Sequence, residues 1–395
     1  MTRPARRLPP LPAFWAVAAA FLAAMAFTTV PTPLYALYQQ RDGFPTWVIT
    51  VVFAAYAVGV AVSLYLVGHV SDRIGRRPPA IAAVVLEIAA AVVFIVWPGV
   101  PGLLVARLLT GLGVGALTAA ATAHLGELWH RAGRGGATPA SVATLANIGG
   151  LGVGPLAAGL LAQLVPLPLV VPYVVGGAAL VLAAIALLLV PETVPARPWR
   201  WHPQRLRVPE EGRGAFWAAG AGAFAGFAVF GLVTALSPTF VAGEFHATSR
   251  IDAGLVPFGT LAVAAVGQVF LTRVAMRVQL VVATAAMAAG LAGLATGAVV
   301  AALPLFAGGA LLAGFGVGLL FRGALATASG LVEPGERGSV LAAVFLIAYV
   351  GLTVPVLLVG AALVIAPAVP VLVVFSAVML VLAVVAGPRM ARRAA

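Results

Sequence analysis

The run Gly68-His69-Val70-Ser71-Asp72-Arg73-Ile74-Gly75-Arg76-Arg77 sets Asp72, Arg73, Arg76 and Arg77 into one turn between two long apolar stretches. These residues can make and break ion pairs at a wet surface. Gly68 and Gly75 permit a tight reversal and close approach of a neighbouring backbone. The four-residue gap puts Gly68 and Asp72 on one helical face. Other reactive types lie inside apolar stretches, where ionisable groups are costly and mark pathways or relays. Glu87 stands near the middle of the third stretch with no local partner, either as a proton carrier or as a hydrogen-bonded structural acid. Arg107 lies in the outer part of the fourth stretch. Arg322 lies towards the inner end of the tenth, where it either serves a site or snorkels to the interface.

Hydroxyl groups form a third set. Thr29-x-x-Thr32-Pro33-x-Tyr35 in the first stretch recurs as Thr234-x-x-Ser237-Pro238-x-Phe240 in the seventh. Proline-interrupted helices at matching places in two halves point to a binding site between them. The reading puts Thr29, Thr32, Tyr35, Thr234 and Ser237, with Asn147 and Arg107, on a central cavity. The alternative is a pair of structural kinks whose hydroxyls bond back to their own helix.

Composition decides what positions these groups. The chain has 395 residues, 62% hydrophobic and 9% charged, with mean hydropathy +1.10. That much apolar surface has no place in a soluble domain. Apolar stretches fall at 12–38, 47–67, 80–97, 102–127, 138–164, 168–190, 215–241, 251–272, 279–299, 303–328, 338–365 and 367–386. Each is close to the span of about 20 residues that a bilayer needs. The expected fold is an all-α polytopic membrane protein of twelve helices in two pseudo-symmetric six-helix bundles. Its divisions are an N-terminal bundle at 1–190, a proline- and arginine-rich linker at 191–214, and a C-terminal bundle at 215–395. Thr110-Gly111-Leu112-Gly113-Val114-Gly115 and Ala313-Gly314-Phe315-Gly316-Val317-Gly318 repeat across that linker, as do Arg134 and Arg337. Matches at one offset indicate an internal duplication.

Net charge is +12, and all 23 basic residues are arginine. The absence of lysine excludes a Walker A phosphate loop and lysine Schiff-base chemistry. With no cysteine there is no disulfide or thiolate nucleophile. Arg73, Arg76, Arg77, Arg131, Arg134, the cluster Arg197 to Arg213, Arg273, Arg277, Arg337, Arg389, Arg392 and Arg393 fall in alternate loops and termini. The remaining loops hold only Arg41 and Arg250. By the positive-inside rule both termini are cytoplasmic, in the cell membrane, and nucleic acid is not the partner. Trp15, Trp47, Trp97, Trp129 and Trp217 sit at helix ends as interfacial anchors. Arg3, Arg6 and Arg7 precede an apolar run too long for a signal peptide, so an uncleaved first helix is expected. Trp199 and Trp201 suggest that the linker lies on the lipid surface. His69, His124 and His130 lie at helix ends and no H-E-x-x-H occurs, which argues against an intramembrane enzyme.

The loop G-x-x-x-D-R-x-G-R-R, formed by Gly68, Asp72, Arg73, Gly75, Arg76 and Arg77, resembles a signature of the major facilitator superfamily of secondary transporters. Arg107-x-x-x-Gly111-x-Gly113 resembles a second signature, whose arginine is tied to proton coupling, with Thr110 where glutamine is usual. Gly150, Gly154, Pro155 and Gly159 resemble a third, G-x-x-x-G-P-x-x-G-G, found chiefly in antiporters, with Ala158 at one closing glycine. Pro191-Glu192-Thr193 fits the family after helix six. The resemblance implies a monomeric, cofactor-free exporter of a small organic molecule, such as a drug, driven by protons through Glu87 or Arg107. Uptake by symport or facilitation is the alternative. It also implies a relay from Asp72 through Arg76 to Glu127, with Asp72 docking at the start of helix eleven near Gly338-Ser339. Two departures stand out. Leu271 takes the aspartate position in the loop after helix eight, and helix one lacks the embedded acid of many drug antiporters.

Overall fold

The computed structural model describes residues 7–195, 198, 201–246, 249–333 and 336–392. Arg3, Arg6, Arg197, Trp199 and Arg393 fall outside them. Among the described residues, twelve helices are long and apolar enough to cross a membrane: α1 (Pro10–Asp42), α2 (Thr46–Val67), α3 (Arg77–Val96), α4 (Val100–Arg131), α5 (Thr138–Leu164), α6 (Val171–Leu189), α7 (Arg213–Gly243), α8 (Arg250–Arg273), α9 (Met276–Val299), α10 (Leu303–Ser329), α11 (Arg337–Ala362) and α12 (Ala368–Ala391). The protein is an all-α, multi-pass membrane protein. One end of the barrel gathers the α2–α3, α4–α5, α8–α9 and α10–α11 turns and is arginine-rich. The opposite end holds Arg41 and Arg250.

The two six-helix bundles repeat one packing plan. α3 packs on α4 and α6 as α9 packs on α10 and α12, and α2 packs on α4 as α8 packs on α10. Small residues allow these approaches: a Cβ at Gly111 would meet the Tyr56 carbonyl oxygen at 2.1 Å. Such backbone proximity is a usual way for helices to associate where lipid offers no hydrophobic drive. Between the bundles, α2 packs on α11 and α5 on α8.

Helix irregularities depart from the symmetric pair that the two proline motifs predict. α1 is broken after Thr29, with a 3-10 turn at Thr32–Leu34 before it resumes at Tyr35. α7 runs as one helix through Pro238. The Thr234 hydroxyl donates to the Phe230 carbonyl at 2.6 Å and Ser237 to the Val233 carbonyl at 2.5 Å. Back-bonding of this kind bends a helix without ending it. α5 carries its own irregularity, a π turn at Leu145–Gly149, which exposes Asn147 to the space between the bundles.

The segment between α6 and α7 rests on protein rather than on lipid alone. Trp201 Nε1 donates to the Leu66 carbonyl at 3.0 Å, the Gln204 amide to that of Tyr65 at 2.7 Å, and the Arg207 amide to that of Ser339 at 3.3 Å. Leu206 enters the crevice between Leu64 and Tyr65 of α2 and Ala342 and Leu346 of α11.

Candidate functional site

At the arginine-rich end the α2–α3 turn is held by two carboxylates. Arg76 donates through Nε and Nη2 to Glu127 Oε1 at 3.0 and 2.9 Å, and through Nη1 to Ser71 Oγ at 3.0 Å and to Asp72. Glu127 also accepts from the Thr193 hydroxyl. Arg76 thus joins Asp72 to Glu127. Asp72, four residues before Arg76 on the same turn, remains mostly exposed. Among the described residues it has no bond to the start of α11, where Ser339 is engaged by Arg207. The expected docking of Asp72 there is therefore not made in this conformation. Arg73 points to solvent.

Glu192, beyond α6, is the second clamp. Its carboxylate accepts from the backbone N–H groups of Arg76 at 2.8 Å and Arg77 at 3.0 Å, the first residues of α3, and from those of Thr193 and Val194. An anion at a helix start also satisfies orphan donors. Burial pushes this carboxyl up, but the four backbone donors together outweigh it and hold it below the ordinary carboxylate range. Gly75 is required here: its φ is +102°, and a Cβ would meet the Glu192 carboxylate at 2.5 Å. Arg77 reaches back to the Leu187 and Leu188 carbonyls. Gly68 closes α2 with its amide on the Leu64 carbonyl. In the sequence Glu192 was marked only by the likeness of Pro191-Glu192-Thr193 to the family, with no role attached.

A cavity of about 350 Å³ lies between the bundles. Thr29, Arg107, Asn147 and Thr234 line it, with Phe53 and Tyr56 of α2, Phe227 and Phe230 of α7, Phe321 of α10, and Phe345 and Tyr349 of α11. Thr118, Thr122 and Thr144 extend it towards the arginine-rich end. Thr32, Tyr35 and Ser237 are buried outside its walls. Thr32 and Tyr35 follow the break in α1, and the Ser237 hydroxyl is spent on its own helix. The aromatic lining is what sequence reasoning missed.

Arg107, about two turns from the arginine-poor end of α4, is 1% exposed. Its guanidinium lies 4.3 Å from the centroid of the Tyr56 ring and 5.7 Å from that of Phe53. One Nη donates to the Thr28 carbonyl. Glu87 is fully buried on α3, and the Thr28 hydroxyl donates to its Oε1 at 3.0 Å. The partner comes from a neighbouring helix, one residue before the threonine that sequence reading singled out. Thr29 donates instead to the Leu151 carbonyl of α5 at 2.8 Å.

The residues Gly150, Gly154, Pro155 and Gly159 serve two contacts. Gly150 and Gly154 face α1, where a Cβ would meet Met25 and the Ala26 carbonyl oxygen. Gly159 and Pro155 face α8 of the other bundle: a Cβ at Gly159 would lie 2.6 Å from the Arg250 carbonyl oxygen, and one at Gly254 would lie 2.4 Å from that of Pro155. Arg250 adds a guanidinium bond to the Ala162 carbonyl, and its amide bonds Gln163 Oε1 at 3.2 Å. On α11, Gly360 is pressed against Thr50 of α2. The bundles are therefore closed at the arginine-poor end, with the cavity displaced towards the other.

The Major Facilitator Superfamily sequence profile matches residues 16–354. The crystal structure of the nucleoside transporter NupG is similar to this chain with a TM-score of 0.70 and 12% sequence identity, over 95% of this chain and 99% of that one. A search of curated protein sequences returns no match.

Proposed function

This chain belongs to the Major Facilitator Superfamily, and from that premise we propose that it is a proton-coupled carrier of a small aromatic molecule, working by alternating access. The observation that carries the reading is the ring-lined cavity around Arg107, set between two bundles that are sealed at one end only. Ligand sites are commonly apolar clefts with a few placed polar groups. The arginine-rich end is taken as cytoplasmic by the positive-inside rule. Asp72, Arg76, Glu127 and Glu192 then form the cytoplasmic latch, and Glu87 with Thr28 and Arg107 forms the coupling group.

Two directions of transport are in play, and each has its support. The small-residue and proline contacts of α5 resemble an antiporter signature and support export against inward protons. The fold shared with a nucleoside transporter supports uptake with protons, by likeness of fold alone. A substrate screen in proteoliposomes under an imposed pH gradient tests the reading. Export predicts accumulation in vesicles that are acidic on the lumenal side when the cytoplasmic face is outward. Uptake predicts the opposite gradient dependence. Failure of any small molecule to move would overturn the proposal.

A further inference from the structure

Arg107 is a cation in an apolar cavity with no acid on its walls. Among the described residues no carboxylate lies within ion-pair distance of it, and no other lining residue is charged. Glu87 makes no bond to it: Thr28 joins the two, and the acid otherwise acts on the cation only through space. An arginine keeps its charge in proteins, and an unbalanced charge at this depth is costly. Tyr56, Phe53, the Thr28 carbonyl and the neighbouring Tyr35 hydroxyl offset part of that cost, but Arg107 Nε is buried without a well-aligned acceptor. The opposite wall repeats the imbalance. Gln268 of α8 lines the cavity, and its Nε2 is also a buried donor without an acceptor. Arg322, which does not line the cavity, donates to the backbone carbonyl of Gln268 at 2.8 Å. A buried cation with an unspent donor in a ring-lined space suits a ligand that brings acceptors and negative charge.

Resting on the carrier reading above, we propose that the cavity takes an aromatic organic anion, with its carboxylate or an equivalent oxyanion on Arg107 and its ring among Phe53, Tyr56, Phe227 and Tyr349. A guanidinium suits a carboxylate because its planar donors meet both oxygens. Burying the rings of ligand and wall supplies affinity without direction, and Arg107 supplies the choice of charge.

The test uses the full chain in lipid nanodiscs and three probes of similar shape: 2-naphthoate, 2-naphthamide and 2-naphthylmethylammonium, titrated by calorimetry. The expected result is that naphthoate binds about tenfold or more tighter than the amide, the difference one charge-assisted contact makes, and that the ammonium binds weakest. Arg107→Gln should abolish the naphthoate preference, while Arg107→Lys should keep part of it. Equal binding of amide and naphthoate by the unaltered chain, binding of none of the three, or an undiminished naphthoate preference in Arg107→Gln would overturn the assignment. The measurement on the unaltered chain stands even where Arg107→Gln does not fold. Counterflow in proteoliposomes separates this inference from the reading beneath it. Naphthoate that binds but does not move removes the transport reading and leaves the anion site; naphthamide that moves while naphthoate neither binds nor moves does the reverse.

Discussion

Glu87 and Arg107 are joined through a single residue: Thr28 gives its hydroxyl to the acid and its carbonyl to the cation. An anion seated on Arg107 would add a second negative charge beside Glu87. Linkage then makes proton uptake and anion binding reinforce one another, since each favours the state that the other needs. The expected outcome is that naphthoate affinity rises on acidification by about fivefold or more, in the usual range of coupling between sites. Glu87→Gln should hold the higher affinity at every pH and lose the response of flux to a pH gradient. An affinity that falls on acidification has the sign that antiport requires and would remove this coupling scheme. A pH response that survives in Glu87→Gln places the proton elsewhere.

The latch at the other end depends on Arg76, whose guanidinium ties Glu127, Ser71 and Asp72 together. Arg76→Ala leaves the part-buried Glu127 without its cation, a local loss of roughly 1–3 kcal/mol. Transport should fall while membrane insertion and yield stay normal. Asp72→Asn, on a mostly exposed carboxylate, should preserve this conformation and slow the exchange to the other. Both are read by flux per inserted molecule, and normal flux in Arg76→Ala removes the latch.

Much of this arrangement was legible in the chain because bilayer physics writes it plainly. Twelve apolar stretches and alternate arginine loops follow from the cost of unpaired backbone and charge in lipid. The link from Asp72 to Arg76 came from the family resemblance. The pairing of Arg76 with Glu127 came only from resemblance, since the two are 51 residues apart. Helix rotation was the illegible part. These spans are apolar on every side, so no stripe says which face turns inwards. Phe227, Phe321 and Tyr349 therefore looked like any other lipid-facing rings, and Thr28 like a neighbour of Thr29. The α1 and α7 proline motifs look alike on paper, yet one breaks its helix and the other does not.

Glu192 gives the latch a dependence on acidity. Its carboxyl is held below the ordinary value of 4.5 in the folded chain. Its contribution is therefore complete above the unfolded-chain value and is lost as pH falls through the lower folded one. Thermal unfolding in detergent should show the midpoint of the unaltered chain falling below about pH 4.5. Glu192→Gln should start lower at neutral pH and lose less on acidification, because its amide accepts fewer bonds and carries no charge to lose. Parallel pH profiles for the two chains would show that the backbone donors of Arg76 and Arg77 gain nothing from the carboxylate.

The contact between α5 and α8 offers a means to bias the conformational equilibrium. At Gly254 a Cβ would stand 2.4 Å from the Pro155 carbonyl oxygen, and at Gly159 it would stand 2.6 Å from that of Arg250. Neither backbone oxygen can swing away, so Gly254→Ala or Gly159→Ala must part the bundles at the arginine-poor end. Parting them favours the opposite conformation, since packed interfaces switch rather than deform continuously. Gly154→Ala is the within-bundle comparison: its Cβ would strike the Ala26 carbonyl oxygen and the Thr29 hydroxyl of the same bundle, so it should lower thermal stability and disturb the cavity wall without parting the bundles. The chain has no cysteine, so Thr144→Cys, on the cavity wall, reports access by labelling with an impermeant maleimide. Labelling from the arginine-rich side should drop by about tenfold for a bias near 1.4 kcal/mol in Gly254→Ala and stay unchanged in Gly154→Ala. Equal labelling in both variants would mean that the α5–α8 contact does not gate the cavity.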